Sequence, residues 1–142
     1  MTFKPNKLTF AEGLKRIENA FAKEKMKYPT SIITSRDANL AKVCNALKVD
    51  NVPLGFKKWQ LPVHLEMASQ FFISVGAADT VVPLHSHDEG DGFRLIMSGT
   101  IIYNGIELTE GDWMFIPKGK SYDFKVGEKG VTLFYCYSCC CA

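Results

Sequence analysis

The sequence predicts a mostly β, antiparallel fold: one β domain over residues 51–142, with a helical extension over residues 1–50 that is not independent of it. Three observations predict this. Past residue 51, short apolar runs are punctuated at close intervals by Gly, Pro, Asn and Asp, as in a sandwich or barrel. Thr100-Ile101-Ile102-Tyr103 and Ile106-Glu107-Leu108-Thr109 flank Asn104-Gly105, a pair suited to the type I′ turn of a hairpin. In the first fifty residues the apolar positions recur at helical spacing instead.

The elements follow in order. Thr9-Phe10-Ala11-Glu12 has the spacing of a capping box, and Leu14, Ile17, Phe21 and Met26 then share a stripe, so a helix is expected up to Tyr28-Pro29. A second helix is expected after Ser35, with Leu40, Val43, Cys44 and Leu47 as its apolar side and Cys44 a small buried hydrophobe. Phe56–Leu61 and Gln70–Val75 read as strands. Residues 121–126 alternate with Tyr122, Phe124 and Val126 on the inner face, and Val131–Tyr137 reads as a last strand.

The 142 residues are 46% hydrophobic and 23% charged, the balance of a globular domain. No run approaches a membrane span, and the opening residues, Met1 to Lys7, lack the apolar core of a signal peptide, so the expected location is the cytoplasm with no membrane partner. Residues 1–50 carry 10 basic and 5 acidic side chains, residues 51–142 carry 7 and 10. The basic excess reads as the wet face of a helix, without the aromatic-laced stripe of a nucleic-acid surface, so no nucleic-acid partner is expected. Cys44 stands apart from Cys136, Cys139, Cys140 and Cys141, which crowd the end of the chain. That placement is unlike a secreted disulfide framework. Cys136 and Cys139 form a C-x-x-C, open to soft-metal or redox chemistry or to the blander reading of a frayed terminus.

Pro83-Leu84-His85-Ser86-His87-Asp88-Glu89-Gly90-Asp91-Gly92-Phe93 is the most informative stretch. Two histidines at i and i+2 on a strand face the same way, and imidazoles with nearby carboxylates can begin a metal site. His85, His87 and Gly99, followed by Gly111, Pro117 and Gly119 in Gly-Asp-Trp-Met-Phe-Ile-Pro-Lys-Gly-Lys-Ser-Tyr, give both motifs of one family in order, joined by a hairpin. Over residues 70–137 the chain resembles the cupin superfamily, of the small RmlC-like kind. The resemblance implies a jelly-roll barrel, a homodimer, and a divalent metal (Fe, Zn, Ni or Mn) acting on a small organic molecule in dioxygenase, lyase or isomerase chemistry. It implies His85 and His87 as ligands, with Glu89 or Asp91 as the third.

The chain departs from the pattern in three places. Gly92 stands where the motif's acid is expected, Tyr122 where its second histidine is expected, and Val126 in place of an asparagine. Tyr122 could ligate a metal, orient a bound water or transfer a proton, or be a core tyrosine bonded to His85 or His87. Arg94, if inward, could anchor a carboxylate or phosphate; the alternative is a solvent-facing arginine at a strand edge. His64, outside the motifs, reads as partner-bonded or on the surface. Three functions are compatible with this: a metal-dependent enzyme using Tyr122 and Arg94, a non-catalytic small-ligand or metal-binding module, and a thiol function carried by the tail.

Overall fold

The structure is a computed structural model that describes residues 8–50, 52, 54, 57–66, 70–88 and 90–137. The chain divides into two compact units. The first comprises residues 1–28 and 37–64, the second residues 29–36 and 65–142.

In the first unit, α1 (Phe10–Lys23) opens on the expected capping box. The Glu12 amide donates to the Thr9 hydroxyl, and the Glu12 carboxylate accepts from the Thr9 amide at 2.7 Å. Ile17, Ala20 and Phe21 form its buried face. The helix stops at Lys23 rather than near Tyr28, because Lys25 takes a left-handed conformation (φ 56°). The Met26 amide then returns to the Phe21 carbonyl and the Lys25 amide to that of Ala22, a Schellman closure that caps the last turn. α2 (Leu40–Ala46) buries Leu40 and Val43, and Leu47 follows it into the core. Cys44 is half-buried, and burial pushes its thiol up. β2 (Lys48–Val49) pairs with β3 (Lys58–Trp59), a shorter strand than Phe56–Leu61; Phe56 itself lies outside the described residues. Gln60 donates to the Gly13 carbonyl and accepts from Arg16, tying this segment back to α1. His64 stacks at 5.0 Å on Tyr28, and its backbone both donates to and accepts from the Tyr28 hydroxyl.

The second unit is antiparallel β. Its strands are β1 (Ile33–Thr34), β4 (Gln70–Gly76), β5 (Val81–His85), β6 (Gly92–Tyr103), β7 (Ile106–Leu108), β8 (Trp113–Ile116) and β9 (Tyr122–Tyr137). They form one seven-stranded sheet in the order β1-β8-β6-β9-β4, with β5 also on β9 and β7 also on β6. The hairpin β6–β7 turns at Asn104 and Gly105, both at positive φ, as a type I′ turn requires. β9 is one strand of 16 residues where the sequence suggests two, because its pairing with β6 resumes at Val131, opposite Gly99, after Val126 opposite Ile101. β6 and β9 bend together. Register slips occur between Ile96 and Ser98 and between Gly99 and Ile101, and a Cβ at Gly99 would collide with the Gly130 carbonyl. The bend folds the sheet as a jelly roll over Ile96, Ile101, Leu108, Met114, Ile116, Tyr122, Phe124, Val126, Val131 and Leu133.

β1 is fixed by Asp112, which accepts from the Ser35 hydroxyl, Arg36 Nε and the Thr109 amide, each at 2.9 Å. Among the described residues β4 pairs only with β9, and its outer side chains Phe71, Ile73 and Val75 are 67–79% exposed.

Candidate functional site

Strand pairing places the motif residues opposite one another. β5 ends at His85, directly across from Tyr122 at the start of β9. Gly92 opens β6 opposite Tyr137, and Arg94 lies opposite Tyr135. The turn Pro117–Gly119 sits beneath the histidine segment: the Gly119 amide donates to the His87 carbonyl (2.9 Å), and the Lys118 amide donates to Asp91 Oδ1 (2.8 Å). Gly119 is at φ 77°, a conformation glycine adopts without strain. The second motif's turn thus holds the first motif's loop.

At the centre is Arg94, 8% exposed. Its Nη2 donates to the Tyr122 hydroxyl (2.9 Å) and the Tyr137 hydroxyl (2.7 Å), and its Nε to Tyr122 at 3.3 Å. The two hydroxyls are 3.0 Å apart, and Tyr122 lies 3.4 Å from His87 Nε2. The guanidinium carbon sits 4.7 Å from the Tyr135 ring centre and 5.4–5.7 Å from those of Phe124, Tyr122 and Tyr137. The His85 and His87 rings are 5.2 Å apart, with His85 packed on Tyr122 (4.5 Å) and His87 on Tyr137 (4.1 Å). His85 Nδ1 lies 2.7 Å from the Pro83 carbonyl, which can only accept, so that nitrogen is the donor.

Two electrostatic features define the centre. Burial pushes the Tyr137 phenol far above its ordinary range, against the opposing pull of the Arg94 charge, so Tyr137 stays neutral. Among the described residues no carboxylate pairs with Arg94, and its Nη1 makes no hydrogen bond; the ion pairs present are Lys15–Glu18, Arg36–Asp112, Lys48–Asp50 and Lys125–Asp79. A buried guanidinium without an anion is costly, since neutral phenols and ring faces return only part of its lost hydration.

The arrangement gathers His85, His87, Tyr122 and Arg94. Asp91 is turned to the Lys118 amide, and Glu89 lies outside the described residues. Tyr137, which sequence reasoning placed only in a strand, belongs to the centre. A Cβ on Gly92 would meet the Tyr137 ring at 2.5 Å, so the phenol fills the space that an acid at position 92 would need. The available signal was the alternation Val131, Leu133, Tyr135, Tyr137 on a strand facing Gly92. Cys136 is buried and burial pushes its thiol up; Cys139, Cys140 and Cys141 lie outside the described residues.

Among the described residues no group of three His, Cys, Asp or Glu side chains converges. The Tyr122 hydroxyl beside His87 accepts from the Arg94 guanidinium.

The strand pairing, the positive-φ glycines 99, 111 and 119, and the His-x-His segment define the class of fold, a cupin-type jelly roll. Solved structures similar to the chain include a cupin protein from Bacteroides fragilis (24% identity, TM-score 0.43, 52% of this chain and 68% of that one). Others are KdgF from a Halomonas species (13%, 0.45, 50% and 69%) and an RmlC-like cupin from Shewanella frigidimarina (18%, 0.43, 49% and 65%). These likenesses concern architecture and span about half of the chain. No family model and no curated protein matches the sequence. Among the described residues no helix is long and apolar enough to cross a membrane.

Proposed function

We propose that this cupin-type domain binds a small organic anion, with Arg94 as the seat of the anionic group and Tyr122, Tyr137 and His87 as the groups that orient it. The observation that carries this is the buried Arg94 guanidinium, which has no carboxylate partner among the described residues and whose Nη1 makes no hydrogen bond there. Planar guanidinium recognises carboxylate and phosphate through paired N–H donors. The test is titration calorimetry of wild type and Arg94→Met with acetate, benzoate, succinate and inorganic phosphate. At least one should bind wild type, and tenfold or more weaker to the variant, the loss expected for a charged hydrogen bond. Equal binding to both proteins, or none to either, refutes the assignment.

A second reading keeps a divalent metal (Fe, Zn, Ni or Mn) on His85 and His87 and a dioxygenase, lyase or isomerase type of reaction. The nearness of the two rings favours it, 5.2 Å apart with His85 packed on Tyr122. It needs a further ligand, for which Glu89 is the candidate. Elemental analysis separates the two readings: metal lost in His85→Ala/His87→Ala but kept in Arg94→Met supports the metal. A homodimer is the proposed assembly, supported by the exposed apolar side chains of β4 and by its edge, which is free among the described residues.

A further inference from the structure

Arg94 lines a cavity of about 230 Å³ whose other walls include Val82 of β5, Phe124 and Val126 at the start of β9, and Leu133 and Tyr135 near its end. Among the described residues in that wall, Arg94 is the only charged one. Ser74 from the inner side of β4 contributes a short side chain, which leaves the space open on that side.

Three features of this cavity restrict what can occupy it. Its lining is chiefly apolar, with only the short hydroxyls of Ser74 and Thr80 and the ring of Tyr135 beside Arg94 and the apolar side chains, so a heavily hydroxylated or doubly charged body would lose more hydration than the walls replace. Its volume is below the roughly 300–1,000 Å³ of sites for drug-sized molecules. At about 30 Å³ per water-sized group it has room for about seven, or five to six carbons at the packing density of a protein interior. Arg94 is the one charged group of the described lining, so a single anionic head is compensated and a second one is not.

We infer that the ligand is a short monocarboxylate with an apolar body of about five carbons, its carboxylate on Arg94 and its tail in the cavity between β4, β5 and β9. This rests on the anion reading of Arg94 and adds to it the nature of the rest of the molecule.

The experiment is a calorimetric series on the full chain with acetate, butanoate, hexanoate and succinate, against wild type, Arg94→Met and Ser74→Leu. For wild type, affinity should rise about fourfold per added methylene up to hexanoate, the worth of one methylene buried. Succinate should bind at least tenfold weaker than butanoate, because its second carboxylate enters an apolar wall. In Ser74→Leu, whose added side chain occupies the cavity, the gain from acetate to hexanoate should vanish. Arg94-dependent binding that is the same for acetate and hexanoate, or tighter for succinate than for butanoate, overturns the tail assignment while leaving the anion seat intact. Absence of Arg94-dependent binding for every acid overturns both. The wild-type series decides the matter even if Ser74→Leu does not fold, which circular dichroism reports.

Discussion

Arg94→Met exchanges a buried charge for an apolar chain of similar length, and its effect can be worked from the geometry. Burying the ion costs several kcal/mol. Against this stand hydrogen bonds to two phenols, about 1.5 kcal/mol each, and ring faces worth about 2 kcal/mol together. These terms cancel to within about 2 kcal/mol. Methionine restores the stem, and the hydroxyls of Tyr122 and Tyr137, 3.0 Å apart, remain partners for each other, so no buried polar group is orphaned. Ligand-free stability should therefore change by no more than about 2 kcal/mol in either direction. The liganded protein should behave differently. At a hundred times Kd, hexanoate stabilises wild type by about 2.7 kcal/mol, a rise in Tm of about 8 °C for a domain of this size, and leaves the variant unmoved. Urea unfolding without ligand and thermal scans with and without it measure both effects. A loss above about 4 kcal/mol in the absence of ligand would make the guanidinium a structural keystone and refute the reasoning. So would an unchanged ligand shift in the variant.

Other perturbations test other parts of the structure. Gly92→Ala should cost about 1–3 kcal/mol by urea unfolding, through contact with the Tyr137 ring, and much less in a Tyr137→Leu background; additive losses would contradict the contact. Gly99→Ala, at φ 75° and against the Gly130 carbonyl, should cost about 3 kcal/mol or more, seen as loss of cooperative unfolding at moderate urea. Asp112 titrates below its ordinary value: burial pushes it up, but the Thr109 amide, Arg36 and Ser35 together pull it down further. Its folded pKa being lower than its unfolded one, its contribution is complete above the unfolded value, about 3.9, and is lost as pH falls through the folded one. Asp112→Ala should cost about 2 kcal/mol at pH 7 and flatten the acid limb of the stability curve; a parallel limb in the variant would exclude this role. Ile73→Lys on the β4 edge should shift sedimentation toward monomer with little change in far-UV dichroism.

Much of this architecture is legible in the residues. Thr9 with Glu12, and Asn104 with Gly105, encode their local geometry completely, because each bond involved joins near neighbours. His85 and His87, two residues apart, come together beside Tyr122 as the spacing implies, but His85 faces Tyr122 only after a register shift between Val82 and His85. The inward aim of Arg94 could not be read in the same way. The register of β6 slips twice beyond it, and a slip of one residue reverses every side chain. The joining of residues 121–126 and 131–137 into one strand depends on Val126 and Val131 pairing with Ile101 and Gly99 of β6 on either side of the glycines, contacts between distant segments that no local pattern announces. Helix α1 ends early because Lys25 accepts a left-handed conformation that lysine seldom takes, which spacing alone does not signal. Tyr137 was hidden by its ordinary appearance. An aromatic residue at the end of an apolar strand reads as core, and only its position opposite Gly92 makes it part of the centre.

The open edge at β4 bears on how stability should be defined for this protein. A strand that among the described residues is paired on one side alone, and that carries three exposed apolar side chains, invites a partner strand. Once copies associate, folding and association share one mass-action equilibrium, and the unfolding midpoint climbs with protein concentration. A midpoint taken at one concentration then describes the solution as much as the molecule. Comparisons among variants acquire meaning only at matched dilution, or below the concentration at which the edge is shared.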